Sequence, residues 1–249
     1  MIRIISRWFR RAYGVAWQAK QPAIAHWGIR DRSIDHGVWR LAAFMEWCGA
    51  TGRSSASFFL DIAKAFENIE HDVLVRLARQ ATFCEALLRW ILHLYRYPRS
   101  LVFLGSLAST ARATKTVVPG DSFADLMMRI MISPMVRILR QLCPSCLPAI
   151  VVDDIQCLVH GPDPREVGRI TARLLEASVC NLEETLHLPV SRPKLMSIYS
   201  SLEVQQAACS RSGLAARSVL PAVRNLGVDF SASGRKTRKV RGKRLATMK

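Results

Sequence analysis

Three aspartates occupy positions where their carboxylates could act together. Asp61 follows the apolar run at residues 57–60, and Asp153 and Asp154 interrupt an apolar segment at residues 147–159. A carboxylate drawn toward a protein core is costly unless it is paired or binds a metal, and adjacent acids at a hairpin also repel each other. Magnesium prefers oxygen ligands, and two such ions about 3.5–4 Å apart activate a 3′-hydroxyl and stabilise a leaving pyrophosphate. The pattern is therefore compatible with nucleotidyl transfer.

A simpler interpretation fits the same spacing. Asp153 and Asp154 can form an ordinary exposed turn, and Asp61 can cap the helix that follows it. Short carboxylate side chains commonly do both, because they bond to nearby backbone N–H groups. Spacing alone leaves both interpretations open.

The elements that position these aspartates are predicted from hydrophobic periodicity. Short apolar runs predict strands at residues 57–60, 147–152, 155–159 and 223–228, and a hairpin at 101–118 around Gly105. Apolar residues that recur at three and four predict helices at residues 65–81, 84–97, 122–141 and 164–186. We expect Pro98 to end the second helix and Pro134 to kink or break the third. This order predicts an α+β fold, an antiparallel sheet with helices on one face.

The chain is strongly basic. It has 249 residues, with 36 Lys and Arg against 19 Asp and Glu, and a formal charge of +17. Eight basic residues and no acidic ones lie at 235–249, so subtracting these eight from 17 leaves +9 on the rest. Such an excess predicts a polyanionic partner, first of all nucleic acid. A basic surface without such a role and an anionic membrane surface are the alternatives.

Hydropathy and cysteine content give the remaining expectations. Half of the residues are hydrophobic, which is enough to bury a sizeable core. We expect no membrane span, because no run of 18 uninterrupted apolar residues occurs. Seven cysteines without a secretory signal predict reduced thiols in an intracellular compartment.

The segment from Asp61 to His71 resembles a known catalytic motif. Its residues DIAKAFENIEH follow the pattern D-x-x-K-A-F-D-x-v-x-H of reverse transcriptases from non-LTR, LINE-type retrotransposons. GIRDRSIDH at residues 28–36 is similar to the family's G-F-R-x-x-R-S-x-x-D segment, and VVDD at 151–154 to its (F/Y)-(A/V)-D-D box. Further matches are Pro119-Gly120 at the family's Q-G motif, Lys194, and LGV at 226–228. The resemblance covers about residues 26–230, in order.

The resemblance implies a palm with partial fingers that acts as an RNA-directed DNA polymerase. Residues 1–56 would be partial fingers with N-terminal helices, residues 57–230 the palm-like core, and residues 231–249 a disordered basic tail. Asp61 and Asp153 would bind two catalytic Mg²⁺ ions, with Mn²⁺ as a substitute, and Asp154 would support that site.

The same resemblance implies roles for residues that contact substrates. Ile62 would offer its carbonyl to a metal, Phe66 would exclude a ribose 2′-hydroxyl, Gly120 would admit the template or incoming base, and Lys194 would approach the triphosphate of a dNTP. For Phe66 the alternative is a plain core aromatic, and for Lys194 a solvated lysine.

Basic residues would contact an RNA or DNA template with its primer. The implied set comprises Arg30, Arg32, Arg235, Lys236, Arg238 and Lys239. A solvated basic face is the alternative for Arg30 and Arg32. The basic tail would bind phosphates non-specifically or direct the protein to the nucleus.

The chain also departs from the family pattern. Pro119 replaces the glutamine of the Q-G motif, Val151 replaces the aromatic residue of the D-D box, and the arginine-bearing R-P-I segment is not recognisable. These departures favour an alternative, in which a truncated or decayed copy binds nucleic acid without catalysis.

A zinc-binding nucleic-acid module is a further alternative. Cys143, Cys146, Cys157 and His160 follow the spacing C-x2-C-x10-C-x2-H, which is close to that of zinc ligands. Against it, Cys157 and His160 lie three apart on a predicted strand and would point to opposite faces.

Overall fold

A computed structural model of the chain describes most of its residues. They are residues 7–14, 16–17, 25–28, 32–98, 100, 102–103, 106–107, 109–110, 112–118, 121–220, 222–225 and 228–231. Two compact units result: a sheet unit (Ala25–Ile62, Met135–Asn181, Val190–Lys249) and a helical unit (Met1–Ile24, Ala63–Pro134, Leu182–Pro189).

Strands and helices are mixed along the chain. The strands are β1 (His26–Trp27), β2 (Ser54–Asp61), β3 (Val102–Phe103), β4 (Ser106–Leu107), β5 (Leu147–Val151), β6 (Asp154–Gly161), β7 (Met196–Tyr199), β8 (Ala222–Asn225) and β9 (Val228–Ser231). The α-helices are α1 (Ile34–Ala50), α2 (His71–Gln80), α3 (Glu85–Arg96), α4 (Ala124–Leu142), α5 (Pro164–Cys180), α6 (Leu202–Cys209) and α7 (Gly213–Arg217). The structure also has short π-helices at Arg10–Gly14 and Asn181–Thr185 and a 3-10 turn at Arg192–Lys194.

The sheet unit is built on five strands in the order β1-β5-β6-β2-β7. All neighbours are antiparallel except β1 and β5, which pair in parallel over two residues. The interior strand β2, which lies between β6 and β7, is buried on both faces, because its run from Ser55 to Leu60 alternates side chains between two covered surfaces.

Each face of the sheet is covered by a helix. On one face, Phe59 and Leu158 join a core cluster with α1 side chains such as Leu41 and with Phe230. The opposite face holds Phe58 and packs against α5. The α+β class is thereby confirmed, but helices cover both faces of the sheet and not the single face predicted. α1 lies in the N-terminal segment for which helices were predicted without bounds.

The helical unit is held by apolar helix faces. In α2 and α3 the buried residues recur at three and four, and Leu74 and Leu88 are almost completely buried. Trp90 packs edge-on against Phe123, just before α4. Because these contacts follow sequence periodicity, the predicted helix at 84–97 is confirmed as α3.

Several predicted elements have different limits. The helix predicted at 65–81 begins only at His71, because residues 63–68 form turns whose backbone bonds reach other segments. α4 continues through Pro134 instead of breaking there. The hairpin predicted at 101–118 pairs only β3 with β4, and the predicted strand at 223–228 is part of the β8–β9 hairpin. Among the described residues, no helix combines the length and apolar character needed to cross a bilayer.

Candidate active site

The end of the central strand pair brings two carboxylates together. β2 and β6 run antiparallel in a continuous register from Ser54 opposite Gly161 to Asp61 opposite Asp154. Directly opposed residues project from the same face, with Cβ atoms about 4.5–5.5 Å apart. The predicted convergence of these two acids therefore follows from the strand register.

A tight turn adds the third carboxylate. Val151 pairs with Asp154, so Val152 and Asp153 alone form the turn between β5 and β6. Val152 has a φ of 58°, a left-handed conformation that glycine adopts readily but a β-branched residue adopts only under strain. The strand pairing on both sides holds this strained turn, which keeps Asp153 beside Asp154.

The three carboxylates influence one another electrostatically. Partial burial, together with the charges of Asp153 and Asp61, raises the pKa of Asp154 to about 6. Partial burial, followed by repulsion from Asp61, also raises the pKa of Asp153. In both cases the nearby Lys194 ammonium acts in the opposite direction. The site thus concentrates negative charge that one lysine only partly offsets.

Lys194 is held against Asp61 by the backbone around it. The Ser191 N–H donates to the Asp61 carbonyl at 2.8 Å, and Val190 bridges to Ile62, which fixes the 3-10 turn beside β2. From this turn, the Lys194 Nζ donates to both Asp61 carboxylate oxygens, at 3.1 and 3.0 Å. Hydrogen bonding to Asp61 raises the pKa of Lys194.

The donor set suits a hard divalent cation. Asp61, Asp153 and Asp154 supply only carboxylate oxygens, the ligands that Mg²⁺ prefers, and burial followed by repulsion between the acids raises the pKa values of Asp153 and Asp154. As folded, however, no three His, Cys, Asp or Glu side chains in the described part of the chain are arranged to hold a metal. The ammonium of Lys194 stands at Asp61 instead.

The remaining predicted residues are distributed as follows. Ile62 is buried next to Asp61, and Arg32 lies over the Trp27 ring at 5.5 Å in the sheet unit. Phe66 is partly buried in the turn at residues 63–68 of the helical unit. The residues that lie outside the described part are Arg30, Gly120, Arg235, Lys236, Arg238 and Lys239.

A hydrogen-bonded strap within the helical unit fixes the backbone at Phe66, and it was not among the features predicted from sequence. Residues 114–117 form this strap along residues 66–71. The Val117 N–H donates to the Phe66 carbonyl at 2.9 Å, and the His71 N–H donates to the Thr114 carbonyl at 3.2 Å. Glu70 adds an ion pair to Lys115 at 2.7 Å and a hydrogen-bonding contact with His187 at 2.9 Å. Only the paired charges of Glu70 and Lys115 could have suggested this strap from sequence.

The four predicted zinc ligands do not converge. The Cys146 thiol donates to the Leu139 carbonyl at 3.6 Å, and the Cys143 thiol contacts the Ser145 hydroxyl at 3.4 Å. His160 packs its ring against Phe44 at 4.8 Å, within the layer formed with α1. Because Cys157 and His160 project from opposite faces of β6, a four-ligand site is not formed.

Comparisons with known proteins identify the fold. No family model matches the chain, and no curated protein matches it. The solved structure of apo telomerase from Candida tropicalis aligns with a TM-score of 0.64 and 10% identity, over 92% of this chain and 39% of that one. Telomerase from Candida albicans, in complex with a TWJ fragment of telomeric RNA, gives 0.60 and 12%, over 93% and 37%.

The similarity to these telomerases is limited to the fold, and it covers only part of each telomerase chain. A Candida tropicalis apo telomerase truncated from its C-terminal domain gives a TM-score of 0.59 at 10% identity, over 90% of this chain and 45% of that one. This chain therefore spans less than half the length of these structures. Its α+β sheet unit and helices form a palm-like fold of the reverse-transcriptase type.

Proposed function

We propose that this chain is the palm-centred part of an RNA-directed DNA polymerase of the non-LTR retrotransposon type. The observation that carries the proposal is the pairing of Asp61 with Asp154, with Asp153 in the adjoining turn, on a reverse-transcriptase-like fold. The motif resemblance at residues 61–71 and 151–154 supports the retrotransposon origin.

The carboxylates are proposed to hold two Mg²⁺ ions, with Mn²⁺ as a substitute. Asp61 and Asp153 would ligate the ions and Asp154 would support them, in keeping with the oxygen-only donor set. When bound, such ions supply the charge that activates a primer 3′-hydroxyl and stabilises a leaving pyrophosphate. The protein's own part is to hold three acids together despite their repulsion.

The dNTP substrate is proposed to lie next to these acids. Phe66 would exclude a ribose 2′-hydroxyl, and the bond from Val117 to its carbonyl supports this role because it limits backbone movement there. Ile62 would contribute its carbonyl, Gly120 would admit a base, and Lys194 would approach the triphosphate.

The template and primer are proposed to be RNA and DNA strands bound through phosphates. The formal charge of +17 supports this proposal, and the RNA-bound Candida albicans telomerase structure is consistent with it. Arg30 and Arg32 would contact the template. The tail residues Arg235, Lys236, Arg238 and Lys239 would add non-specific affinity, and we propose a nuclear location on the same ground.

A second candidate function is nucleic-acid binding without catalysis. The ion pair between Lys194 and Asp61 favours it, because Asp61 then has a protein partner in place of a metal. Pro119 at the position of the family's glutamine favours it as well. Both candidate functions predict nucleic-acid binding that weakens with salt. Only the polymerase requires the carboxylates of Asp61, Asp153 and Asp154.

Primer extension separates the two candidates. The full chain is supplied with an RNA template, a DNA primer, dNTPs and Mg²⁺ or Mn²⁺, and compared with Asp61→Asn and Asp153→Asn variants. Asp72→Asn is the matched control, because it removes an aspartate charge from a side chain that is 96% exposed. We expect extension by the parent and the control and its loss in the other two variants.

The other outcomes are equally informative. If no protein extends the primer but all bind it with an affinity that falls with salt, binding without catalysis is the function. If no protein binds the template and primer, the proposal of a nucleic-acid partner is wrong.

A further inference from the structure

Lys194 and a divalent cation would compete for the same two atoms of Asp61. The Lys194 Nζ lies 3.1 Å from one carboxylate oxygen and 3.0 Å from the other, so it sits between both. The Asp61 side chain is only 18% exposed, which leaves little room for a second cation on those oxygens. A Mg²⁺ ion would need one of them at about 2.0–2.1 Å.

The position of Lys194 is not that of a freely moving surface lysine. Its backbone belongs to the 3-10 turn that Ser191 and Val190 join to the end of β2. Its side chain is nevertheless 65% exposed, so the ammonium can leave Asp61 without unpacking the core. The turn therefore fixes the Lys194 backbone beside Asp61, while the exposed side chain can still move away from the carboxylate.

The carboxylates around Asp61 require a positive counter-charge. Asp154 is directly opposite Asp61, and Asp153 lies in the next turn, so three acids would repel each other without a counter-charge. Lys194 forms an ion pair with Asp61, and its charge also acts on Asp153 and Asp154.

We infer that Lys194 is a placeholder for the metal: it neutralises Asp61 in the resting protein, and loading of a divalent ion displaces its ammonium toward solvent. The inference rests on the proposed function, because it takes Asp61 as a metal ligand. The released ammonium is then available for an anionic group, so that the lysine exchanges partners when the metal binds.

The first test measures how accessible the ammonium is. The full chain is treated with an amine-acylating reagent with or without Mn²⁺ at constant ionic strength, and lysine modification rates are read by peptide mass spectrometry. We expect the rate at Lys194 to rise about threefold with Mn²⁺, the order of effect that a solvent-accessible ion pair can exert. Lys115 is the internal control, because it pairs with Glu70 at 2.7 Å and is 53% exposed.

The second test measures metal affinity directly. Mn²⁺ binding is followed by electron paramagnetic resonance in the parent, Lys194→Gln and Lys115→Gln. Removing the competing ammonium should tighten binding about fivefold in Lys194→Gln, whereas the same charge change at Lys115 should leave it nearly unchanged. Asp61→Asn should weaken binding in every background.

The outcomes separate this inference from the proposed function. Mn²⁺ binding that depends on Asp61, with an unchanged rate at Lys194 and equal affinity in Lys194→Gln, overturns the inference and leaves the metal site intact. No Mn²⁺ binding by any variant overturns both. Binding that appears only in Lys194→Gln also overturns the inference, because the ion then does not displace the ammonium in the parent.

Discussion

Asp61 and Asp154 stand directly opposite each other at the end of the central antiparallel strand pair. Opposed carboxylates destabilise a sheet unless a cation lies between or beside them. In this protein the Lys194 ammonium provides that cation through two hydrogen bonds to Asp61. Because these carboxylates can take up protons, the stability of the sheet unit should depend on pH.

Replacing Asp154 with asparagine should stabilise the protein at neutral pH. The pKa of Asp154 is raised from 3.8 to about 6, so the fold favours the protonated acid. The protonated Asp154 carboxyl contributes fully to the free energy of unfolding below pH 3.8. This contribution is lost as the pH rises through 6. At pH 7.5 we expect a gain of about 1 kcal/mol, after allowance for solvent screening of a half-buried group.

Thermal melting in metal-free buffer between pH 4 and 8 checks this prediction. Asp72→Asn is the control, because its exposed carboxylate pairs with Arg96 and its removal should bring no gain. A lower melting temperature for Asp154→Asn at pH 7.5 would contradict the prediction.

Replacing Val152 with glycine should relieve the strained turn. The φ of 58° costs a β-branched residue more than it costs glycine, although glycine also loses more freedom on folding. We expect a net gain of roughly 0.5–1 kcal/mol in urea denaturation. Val151→Gly is the control and should lose about 2 kcal/mol, since Val151 is a buried strand residue. Equal losses in both variants would show that the turn is not strained.

Gly168 should not tolerate even a methyl group. A Cβ there would lie 2.4 Å from the Val204 carbonyl oxygen and 2.8 Å from the Ala207 Cβ, so α5 and α6 would have to separate. We expect Gly168→Ala to lower the free energy of unfolding by about 2 kcal/mol, despite the higher helix propensity of alanine. Gly213→Ala meets open space and should be neutral or slightly stabilising. Chemical denaturation of both variants provides the comparison.

His71 should make the helical unit sensitive to acid. Its ring is fully buried, with Nε2 donating to the Thr116 carbonyl at 2.9 Å and Nδ1 accepting from Arg96 at 3.2 Å, so the ring is neutral. Burial, with a smaller effect of Arg96, lowers the pKa of His71 below 6.5. Its stabilising contribution is therefore present above pH 6.5 and is lost as the pH falls below that value.

The melting temperature of a His71→Gln variant tests this dependence. We expect a loss of about 1–2 kcal/mol at pH 7.5 that shrinks as the parent itself loses stability at lower pH. His93→Gln, at an exposed position of α3, should behave like the parent. A constant difference between parent and His71→Gln from pH 5 to 8 would argue against the prediction.

Local hydrophobic patterns predicted the strands that carry the acids. They did not predict features that depend on contacts between distant segments, such as the start of the helix at His71. β2 and the β5–β6 hairpin follow apolar runs that end at Asp61 and surround Asp153. The helix predicted from residue 65 fails at its start, because the Phe66 and Ile69 carbonyls bond to residues 117 and 116 instead of continuing a helix. Hydrogen bonds between such distant segments produce no periodic pattern in the sequence.

The candidate site was predictable as far as its acids were concerned. Asp61, Asp153 and Asp154 converge as the hairpin pattern and the motif resemblance predicted. The ion pair of Lys194 with Asp61 was not foreseen, because it depends on a backbone bond from Ser191 that no spacing rule indicates. The strain at Val152 was equally hidden, since valine normally predicts extended backbone.

The pairing of β2 with β6 also determines when the site can exist during synthesis. Asp154 follows Asp61 by 93 positions, and Lys194 lies 133 positions after Asp61. Contacts between such distant residues form late, after the intervening chain has been made and ordered. A nascent chain would therefore carry β2 as an unpaired, apolar strand for much of its translation. We expect this stage to be when the protein depends most on chaperones.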